Sequence, residues 1–450
     1  MFDLSSIGIA YGSLLMLGML IVLLLTGMQL AFATGLVALV FAFGWFGPQV
    51  LPLVSSRMYT FIGSYVFLAV PMFVLMAALL DHSGIARDLF DAMNQLGRKI
   101  RGGVAVQTLL VAVILASMSG VIGGETVLLG LLALPQMLRL GYHRRLAIGT
   151  TCAGGALGTM LPPSIVLIIY GLTANVSIGD LFKGAFLPAL ILAAFYIIYV
   201  LGIAKLHPEW APIPSDKTSD KTPDNNASDL SPDENTPRLA KALLFPILTV
   251  VIVLGSIYSG IASITEASAL GVVGIALSAL IRGELNPNML KQSCITTLRS
   301  CGMIIWIGIG ATALVGVYNL MGGIDFVRET ILSFSDSDGL TTILLMMAIL
   351  LVLGMFLDWV GVALLTMPIF VPIVVELGYN PIWFGVVFCM NMQVSFLSPP
   401  FGPAAFYLKS VAPKDISLGE IFRSLLPFIG LQIAALALLI AFPELVMWWM

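Results

Sequence analysis

The sequence has little charge. Only 10% of its 450 residues are Asp, Glu, Lys or Arg, whereas 59% are hydrophobic and the mean hydropathy is +1.03. These values lie far outside the range of soluble globular proteins. The chain is therefore predicted to be an all-α membrane protein with many spans.

Residues that serve metal or acid–base chemistry are also scarce. The three histidines lie beside charged residues near the ends of apolar segments, and the four cysteines show no C-x-x-C or Cys/His spacing. A Cys/His metal centre is thus excluded. No Ser/His, paired-Asp or His-Glu pattern supports an intramembrane enzyme. We predict no enzymatic activity.

The N-terminus lacks the marks of a cleavable signal peptide. Asp3 is its only early charge, and the first apolar run reaches about Gly27 without a clear A-x-A site. We expect this run to remain as the first span. A membrane helix needs about 20 residues, and most apolar segments approach that length. The shorter ones form two adjacent pairs, at about 104–139 and 340–377.

A repeat relates the two halves of the chain. Proline and glycine landmarks recur at one constant offset: Pro135, Gly141 and Pro162-Pro163 return as Pro372, Gly378 and Pro399-Pro400. The proline pairs interrupt apolar segments at 146–171 and 382–408, which predicts one broken helix in each half. Duplicated halves with broken helices are typical of secondary transporters.

The distribution of Lys and Arg predicts that the halves are inverted. Basic residues flank the first short pair at 98–101 and 139–145, whereas none occurs between Arg328 and Lys409. By the positive-inside rule, the two pairs form re-entrant hairpins that open to opposite sides. With five full crossings per half, both termini are predicted to be periplasmic. The predicted domains are a first repeat at 1–204, a hydrophilic cytoplasmic linker at 205–241 and a second repeat at 242–450.

Glycine, hydroxyl and carboxylate groups concentrate at the hairpin tips and the helix breaks. The first tip reads SGVIGGET from Ser119, and the second contains Gly354 and Asp358. Proline pairs free carbonyls in the broken helices, where Ser395 and Ser398 add hydroxyls. Such oxygens suit a hard cation such as sodium, and helix N-termini suit an anion. Two cation pockets flanking a central solute site are predicted.

Each signal has a structural alternative. The proline pairs could be packed kinks, and Glu125 could be a salt-bridged or helix-capping group at the tip. Arg57 could be an interfacial anchor, and Glu266 is interpreted mainly as part of a helix N-terminal cap.

At these motifs the chain resembles the large membrane subunit of the tripartite ATP-independent periplasmic (TRAP) transporters. The resemblance rests on stretches such as SGVIGGETVLLG, AGGALGTMLPPS, LGMFLDWVG and SFLSPPFGP. It implies an elevator-type, sodium-driven importer of organic acids in the bacterial inner membrane. The implied partners are a small four-helix membrane subunit and a periplasmic substrate-binding protein, with no role for nucleic acid.

The resemblance also assigns the sites. Sodium coordination is expected at Ser119, Gly123, Gly124, Gly158, Gly354, Asp358, Ser395 and Ser398. Substrate contacts are expected at Arg57, Glu125, Thr126, Pro163, Ser164, Asn391 and Pro400. Two departures from the family pattern indicate a modified subtype: Val121-Ile122 replace serines, and Trp359 follows Asp358 where proline is common.

Two other functions remain open from sequence. A stand-alone symporter of similar fold would take its substrate without a binding protein. An ion-translocating subunit of an energy-converting complex usually needs Lys/Glu relays in mid-span, which the sequence does not show.

Overall fold

A computed structural model describes residues 4–90, 100–120, 123–213, 244, 247–334 and 338–449. Within these ranges the regular secondary structure is entirely helical. Eight of the described helices are long and apolar enough to cross a membrane, or nine if a pair bent by 119° forms one span. The predicted all-α membrane fold is confirmed. The predicted linker lies outside the described residues from 214 onward.

The described part of the first half contains nine α-helices of ten or more residues. In chain order they are α1 (Gly8–Leu25), α2 (Leu30–Phe46), α3 (Leu51–Ile62), α4 (Ala69–His82), α5 (Gly103–Ser119), α6 (Gly124–Arg139), α7 (Arg144–Ala156), α8 (Ile165–Ala174) and α9 (Ile178–Leu206). Between α4 and α5, residues 85–90 are also helical. The sequence predicts an interfacial helix over 86–96, and its residues from 91 onward lie outside the described residues.

The described part of the second half also contains nine α-helices, eight of ten or more residues and one of nine. They are α10 (Ile247–Tyr258), α11 (Ile264–Ile281), α12 (Pro287–Leu320), α13 (Gly323–Phe334), α14 (Gly339–Phe356), α15 (Trp359–Glu376), α16 (Pro381–Leu397), α17 (Pro403–Val411) and α18 (Leu418–Ala441). Ser263 and Glu266 form a reciprocal capping box at the start of α11. The interpretation of Glu266 as part of a helix cap is confirmed.

One group of helices forms a frame around α12. This 34-residue helix packs along α2, α3 and α4, and α4 packs against α11. The contact with α2 is close because Gly310 has no side chain: a Cβ there would lie 2.5 Å from the carbonyl oxygen of Ala31. Val37 and Phe41 on α2 are fully buried in this contact region. Small residues commonly allow such close approach between membrane helices.

The second group, called the hairpin group below, contains both helix pairs and both broken helices. Helices α5 and α6 pack against α7, and α14 packs against α16, which also contacts α18. The indole of the buried Trp383 is paired in this group, because it donates to the carbonyl of Leu439 at 2.9 Å. The two groups meet where α12 contacts α15 and where α4 contacts α5.

The landmarks of the sequence repeat have the same local backbone in both halves. Gly141 and Gly378, which follow the helix pairs, have φ of +80° and +79°, and both Pro-Pro bonds are cis. The first break separates α7 from α8, and the second separates α16 from α17. Helices α14 and α15 have 18 residues each, and both are long and apolar enough to cross a membrane. The opposite orientation of the halves stays a prediction.

Two helical segments differ from the sequence prediction. Helix α3 is amphipathic and carries Ser55, Ser56 and Arg57, so its apolar signal is weak. Arg57 therefore lies within a helix. Helix α12 begins at Pro287, well before the apolar run at 300, because the Asn286 side chain caps it by accepting the backbone N–H of Met289 at 2.8 Å.

Candidate ion and solute sites

The first tip is a glycine turn inserted against the first broken helix. Helix α5 ends at Ser119, and α6 begins at Gly124. Gly120 has φ of +56°, and a Cβ there would overlap the carbonyl oxygen of Pro163. Glycine is thus required by both conformation and space. Val121 and Ile122, where the sequence departs from the family pattern, lie outside the described residues.

Glu125 places a buried carboxylate in this contact. It lies in the first turn of α6 with 2% of its surface exposed. The Ser119 hydroxyl donates to its Oε1, whereas Oε2 has no hydrogen-bond partner among the described atoms. A Cβ at Gly158 would lie 2.5 Å from Oε1, so the broken helix touches the carboxylate. The helix N-terminus favours a negative charge here.

Thr126 and Ser164 extend the same contact. The buried Thr126 hydroxyl has no hydrogen-bond partner in the described structure, and its backbone lies against Gly155, where a Cβ would come within 2.6 Å of the Thr126 Cα. The Ser164 hydroxyl donates to the carbonyl of Thr159 at 2.5 Å. The predicted first-tip and first-break residues are therefore brought together.

Asp81 is a nearby carboxylate that the sequence analysis missed. It lies in the last turn of α4, and a Cβ at Gly124 would be 3.5 Å from its Oδ2. Helix α4 belongs to the frame, so a second acid from another helix group faces the tip. The only sequence signal was an aspartate at the end of an apolar run. Nothing in the sequence links positions 81 and 124.

The second tip forms a small cavity around Asp358. This residue is the N-cap of α15, where its Oδ1 accepts the backbone N–H of Val360 at 2.9 Å. Asp358 and Gly354 line a cavity of about 40 Å³ together with Thr159 and Tyr407. That volume is enough for an ion or a few water molecules. An ion-sized space bordered by one carboxylate therefore lies at this tip.

The predicted residues of the second broken helix are not equally placed. Ser395 lies against Gly354, where a Cβ would be 2.7 Å from its hydroxyl oxygen. Ser398 donates to the carbonyl of Val394 at 2.7 Å, and neither serine lines the small cavity. The Asn391 amide donates to the carbonyl of Met347 at 2.9 Å, and Pro400 is exposed. Ser395 is therefore the serine nearest to the second tip.

Tyr407 connects the two tips. It lies on α17, and a Cβ at Gly123 in the first tip would be 2.7 Å from its ring carbon Cζ. The same residue lines the cavity around Asp358, as does Thr159 from the first broken helix. The two predicted half-sites thus share a wall. Neither residue was identified from the sequence, because the sharing depends on contacts between the halves.

Arg57 lies apart from these residues. It lines a cavity of about 1110 Å³ between the frame helices α3 and α12 and helices α8 and α15. Helix α3 contributes Ser56 and Phe61, α12 contributes Thr312, and α15 contributes Leu364. None of the other predicted substrate contacts lines this cavity. The structure therefore separates Arg57 from the predicted contacts at the tips and breaks.

The available donors suit a hard cation more than a transition metal. Across the described ranges, no group of three or more His, Cys, Asp or Glu side chains could hold a metal ion. A cation at either tip would instead be coordinated by carbonyl and hydroxyl oxygens with one carboxylate. Such a ligand set is typical of weakly bound alkali or alkaline-earth ions.

Comparison with known proteins reveals similarity in sequence and in fold. The C4-dicarboxylate TRAP transporter large permease protein of Pseudomonas aeruginosa is 28% identical over 403 residues, which cover 88% of this chain and 89% of that protein. The sialic acid TRAP transporter large permease protein of Vibrio cholerae is also 28% identical, and the alignment covers 94% of each chain. The YdaH transporter of Alcanivorax borkumensis has a similar fold, with a TM-score of 0.64 at 12% identity and 88% coverage of both chains.

The family match spans nearly the whole sequence. The family described as "Tripartite ATP-independent periplasmic transporter, DctM component" matches residues 17–445. This range includes both helix pairs, both broken helices and every predicted site residue. The chain therefore belongs to the DctM component family, the large permease subunits of the tripartite ATP-independent periplasmic transporters.

Proposed function

We propose that this chain imports an organic acid across the bacterial inner membrane by coupling the movement of the acid to a sodium gradient. As a TRAP large permease, it is a transporter subunit of a tripartite system. Beyond family membership, we propose sodium coupling, a carboxylate substrate, an elevator mechanism and periplasmic termini. Its partners would be a small four-helix membrane subunit and a periplasmic binding protein that delivers the substrate.

One observation supports the proposal most strongly. Each glycine-containing tip lies against a broken helix, and each tip carries a carboxylate: Glu125 at the first and Asp358 at the second. Broken helices leave backbone oxygens and amides without intrahelical partners. Within a membrane, such groups must be satisfied by protein, water or a bound ion. Two such places in one bundle are what an ion-coupled transporter needs.

At the second tip, sodium fits better than a divalent ion. The second tip offers one carboxylate, neighbouring hydroxyls and an ion-sized cavity. A single negative charge with neutral oxygens balances a monovalent cation without a surplus of charge in a low-dielectric environment. We assign sodium coordination to Ser119, Gly123, Gly124 and Gly158 at the first tip. At the second tip we assign it to Gly354, Asp358, Ser395 and Ser398.

An acidic substrate would be attracted by Arg57, which lies between the two helix groups. Arg57 lines the larger cavity and has no acidic partner among the described residues. The names of the relatives refer to C4-dicarboxylates and sialic acid, which are organic acids. Substrate would meet Arg57 first and then the contacts at the tips and breaks, namely Glu125, Thr126, Pro163, Ser164, Asn391 and Pro400.

An elevator movement fits the division into two helix groups. Both helix pairs and both broken helices belong to one group, so the proposed ion sites would travel together. Asp81 belongs to the frame and faces Gly124, so sliding of the hairpin group would change this contact. The frame would remain fixed with the small subunit.

Reconstitution into proteoliposomes tests the proposal. The large and small subunits would be reconstituted together, and uptake of a labelled organic acid panel would be measured with and without the binding protein. We expect concentrative uptake only with an inward sodium gradient and all three proteins. Robust uptake by the large subunit alone would assign the chain to the stand-alone symporters. Uptake that does not depend on the sodium gradient would contradict sodium coupling.

A further inference from the structure

The large cavity has a single charged side chain among its described lining residues. It lies where α3 and α12 of the frame face α8 and α15 of the hairpin group. Of the described residues that line it, Arg57 is the only one charged at neutral pH. Its volume of about 1110 Å³ is slightly above the usual range for small-molecule sites. The cavity is therefore large, but its capacity to neutralise charge is small.

The frame holds the arginine in a defined position. Gly316 on α12 lies beneath its side chain, and a Cβ there would be 2.8 Å from the Arg57 Cδ. This contact lets the stem lie close to α12 while the guanidinium remains part of the cavity wall. The arginine forms no salt bridge within the described part of the chain. Its five donors are thus free for a ligand, and their planar arrangement matches one carboxylate or sulfonate.

The rest of the wall is neutral. Polar groups come from Ser56, Thr312 and the Asn175 amide, and apolar surface comes from Phe61 and Leu364. Hydroxyls and amides can bind uncharged polar groups on a ligand, and the apolar surface can cover carbon. None of these groups can neutralise a second anion, so a second carboxylate would lose water without gaining a counter-charge.

We infer that the substrate is an organic monoacid, with one carboxylate or sulfonate and a neutral, partly apolar body, and that dicarboxylates are discriminated against. This inference rests on the proposed function, because it assumes that the cavity admits the transported acid. The names of the relatives do not distinguish a monoacid from a diacid, since one refers to C4-dicarboxylates and another to sialic acid, a monoacid.

Protection of an introduced cysteine in the cavity tests the inference without transport. Thr312→Cys would be introduced after replacing the exposed Cys294 by serine, because the other three native cysteines are buried. The rate of maleimide alkylation would be measured on the purified full-length permease in sodium. The probes would be length-matched pairs: 6-hydroxyhexanoate with adipate, and 5-hydroxypentanoate with glutarate.

We expect each monoacid to slow alkylation at a concentration about tenfold or more below that of its matched diacid. Arg57→Gln should abolish protection by the monoacids, whereas Arg101→Gln, at an exposed position away from the cavity, should leave it unchanged. Thr60→Lys adds a second cation to the same wall and should bring diacid protection close to that of the monoacids.

The outcomes separate this inference from the proposed function. Equal protection by diacids and monoacids in the Thr312→Cys protein would overturn the monoacid assignment and leave organic-acid transport standing. Failure of Thr60→Lys to improve diacid protection would also contradict the charge argument. Failure of every acid to slow alkylation of the Thr312→Cys protein would contradict both the cavity as the solute site and the monoacid assignment, while sodium-driven uptake in proteoliposomes would still support the proposed function.

Discussion

At the scale of single residues, the first tip depends on glycines that leave room for a carboxylate. Gly158 is the clearest case, because a side chain there would occupy the space of the Glu125 carboxylate. Glu125 is buried, accepts a hydrogen bond from Ser119 and has one oxygen without a partner among the described atoms. Its neighbours therefore hold the carboxylate in a position where it could coordinate a cation.

Gly158→Ala is expected to weaken sodium binding at the first tip. The added methyl would displace Glu125, and overpacking of this kind costs about 1–3 kcal/mol. We expect the sodium concentration for half-maximal uptake to rise about tenfold, equivalent to about 1.4 kcal/mol. Gly202→Ala on α9 is the matched control, since a Cβ there meets nothing within 4 Å. A normal sodium titration for Gly158→Ala would argue against an ion at this tip.

Asp358→Asn separates charge from helix capping at the second tip. Asn caps helices about as well as Asp, so the acceptor for the Val360 N–H remains and stability should change little. Loss of a charged ligand should raise the sodium requirement by about tenfold or more and change the solute requirement less. Asp338→Asn is the control, because Asp338 caps α14 in the same way outside the tips. Equal sodium titrations for the two variants would refute the role of Asp358.

Serine substitutions test how the second break contributes. Ser395→Ala should raise the sodium requirement more than Ser398→Ala, because only Ser395 lies against Gly354. The rise in the sodium concentration for half-maximal uptake should be about threefold to tenfold, as expected for the loss of one neutral oxygen ligand. Ser333→Ala provides a control for the hydroxyl itself, since Ser333 is exposed and donates to a backbone carbonyl of its own helix. If both serines behave like Ser333, the second break supplies no side-chain ligand.

At the scale of helices, the sequence predicted the helix positions well where the signal lies within the segment itself. Proline pairs, glycine tips and apolar length predicted both helix pairs and both breaks close to their observed bounds. Helix α3 was missed because its apolar content is low. Asp81 and Tyr407 were missed because their roles depend on contacts with the tip at Gly123 and Gly124, which are distant in sequence. Pairing of each tip with its break was predicted, but the shared wall between the tips was not.

A reversible cross-link between the helix groups tests the elevator movement. Gly361 on α15 lies against Leu30 on α2, and a Cβ at Gly361 would be 3.5 Å from the Leu30 Cγ. Cysteines at both positions, in a Cys294→Ser background, should form a disulfide under oxidation because the Leu30 side chain points at the space that a Cβ at Gly361 would fill. We expect oxidation to abolish uptake and reduction to restore it.

Leu30→Cys alone controls for the substitution and for the oxidant. Full uptake by the cross-linked double variant would show that α15 need not move against α2. That result would contradict an elevator in which the helix group containing α15 slides along the frame.

At the scale of the whole molecule, the charge distribution predicts an inverted arrangement. Exposed positions next to the first helix pair are Arg101 and His143, and those next to the second are Asp338 and Asn380. Single cysteines at Arg101 and His143 should react with an impermeant maleimide only from the cytoplasm. Those at Asp338 and Asn380 should react only from the periplasm. Labelling of all four from one side would refute the inverted repeat.

Simultaneous measurement of sodium and solute influx tests the central claim most directly. The complete three-protein system would be reconstituted in proteoliposomes, and uptake of radioactive sodium would be followed with and without labelled organic acid. We predict solute-dependent sodium influx that Asp358→Asn and Gly158→Ala reduce and that Asp338→Asn and Gly202→Ala leave unchanged. Concentrative solute uptake without any accompanying sodium influx would contradict sodium coupling at the tips.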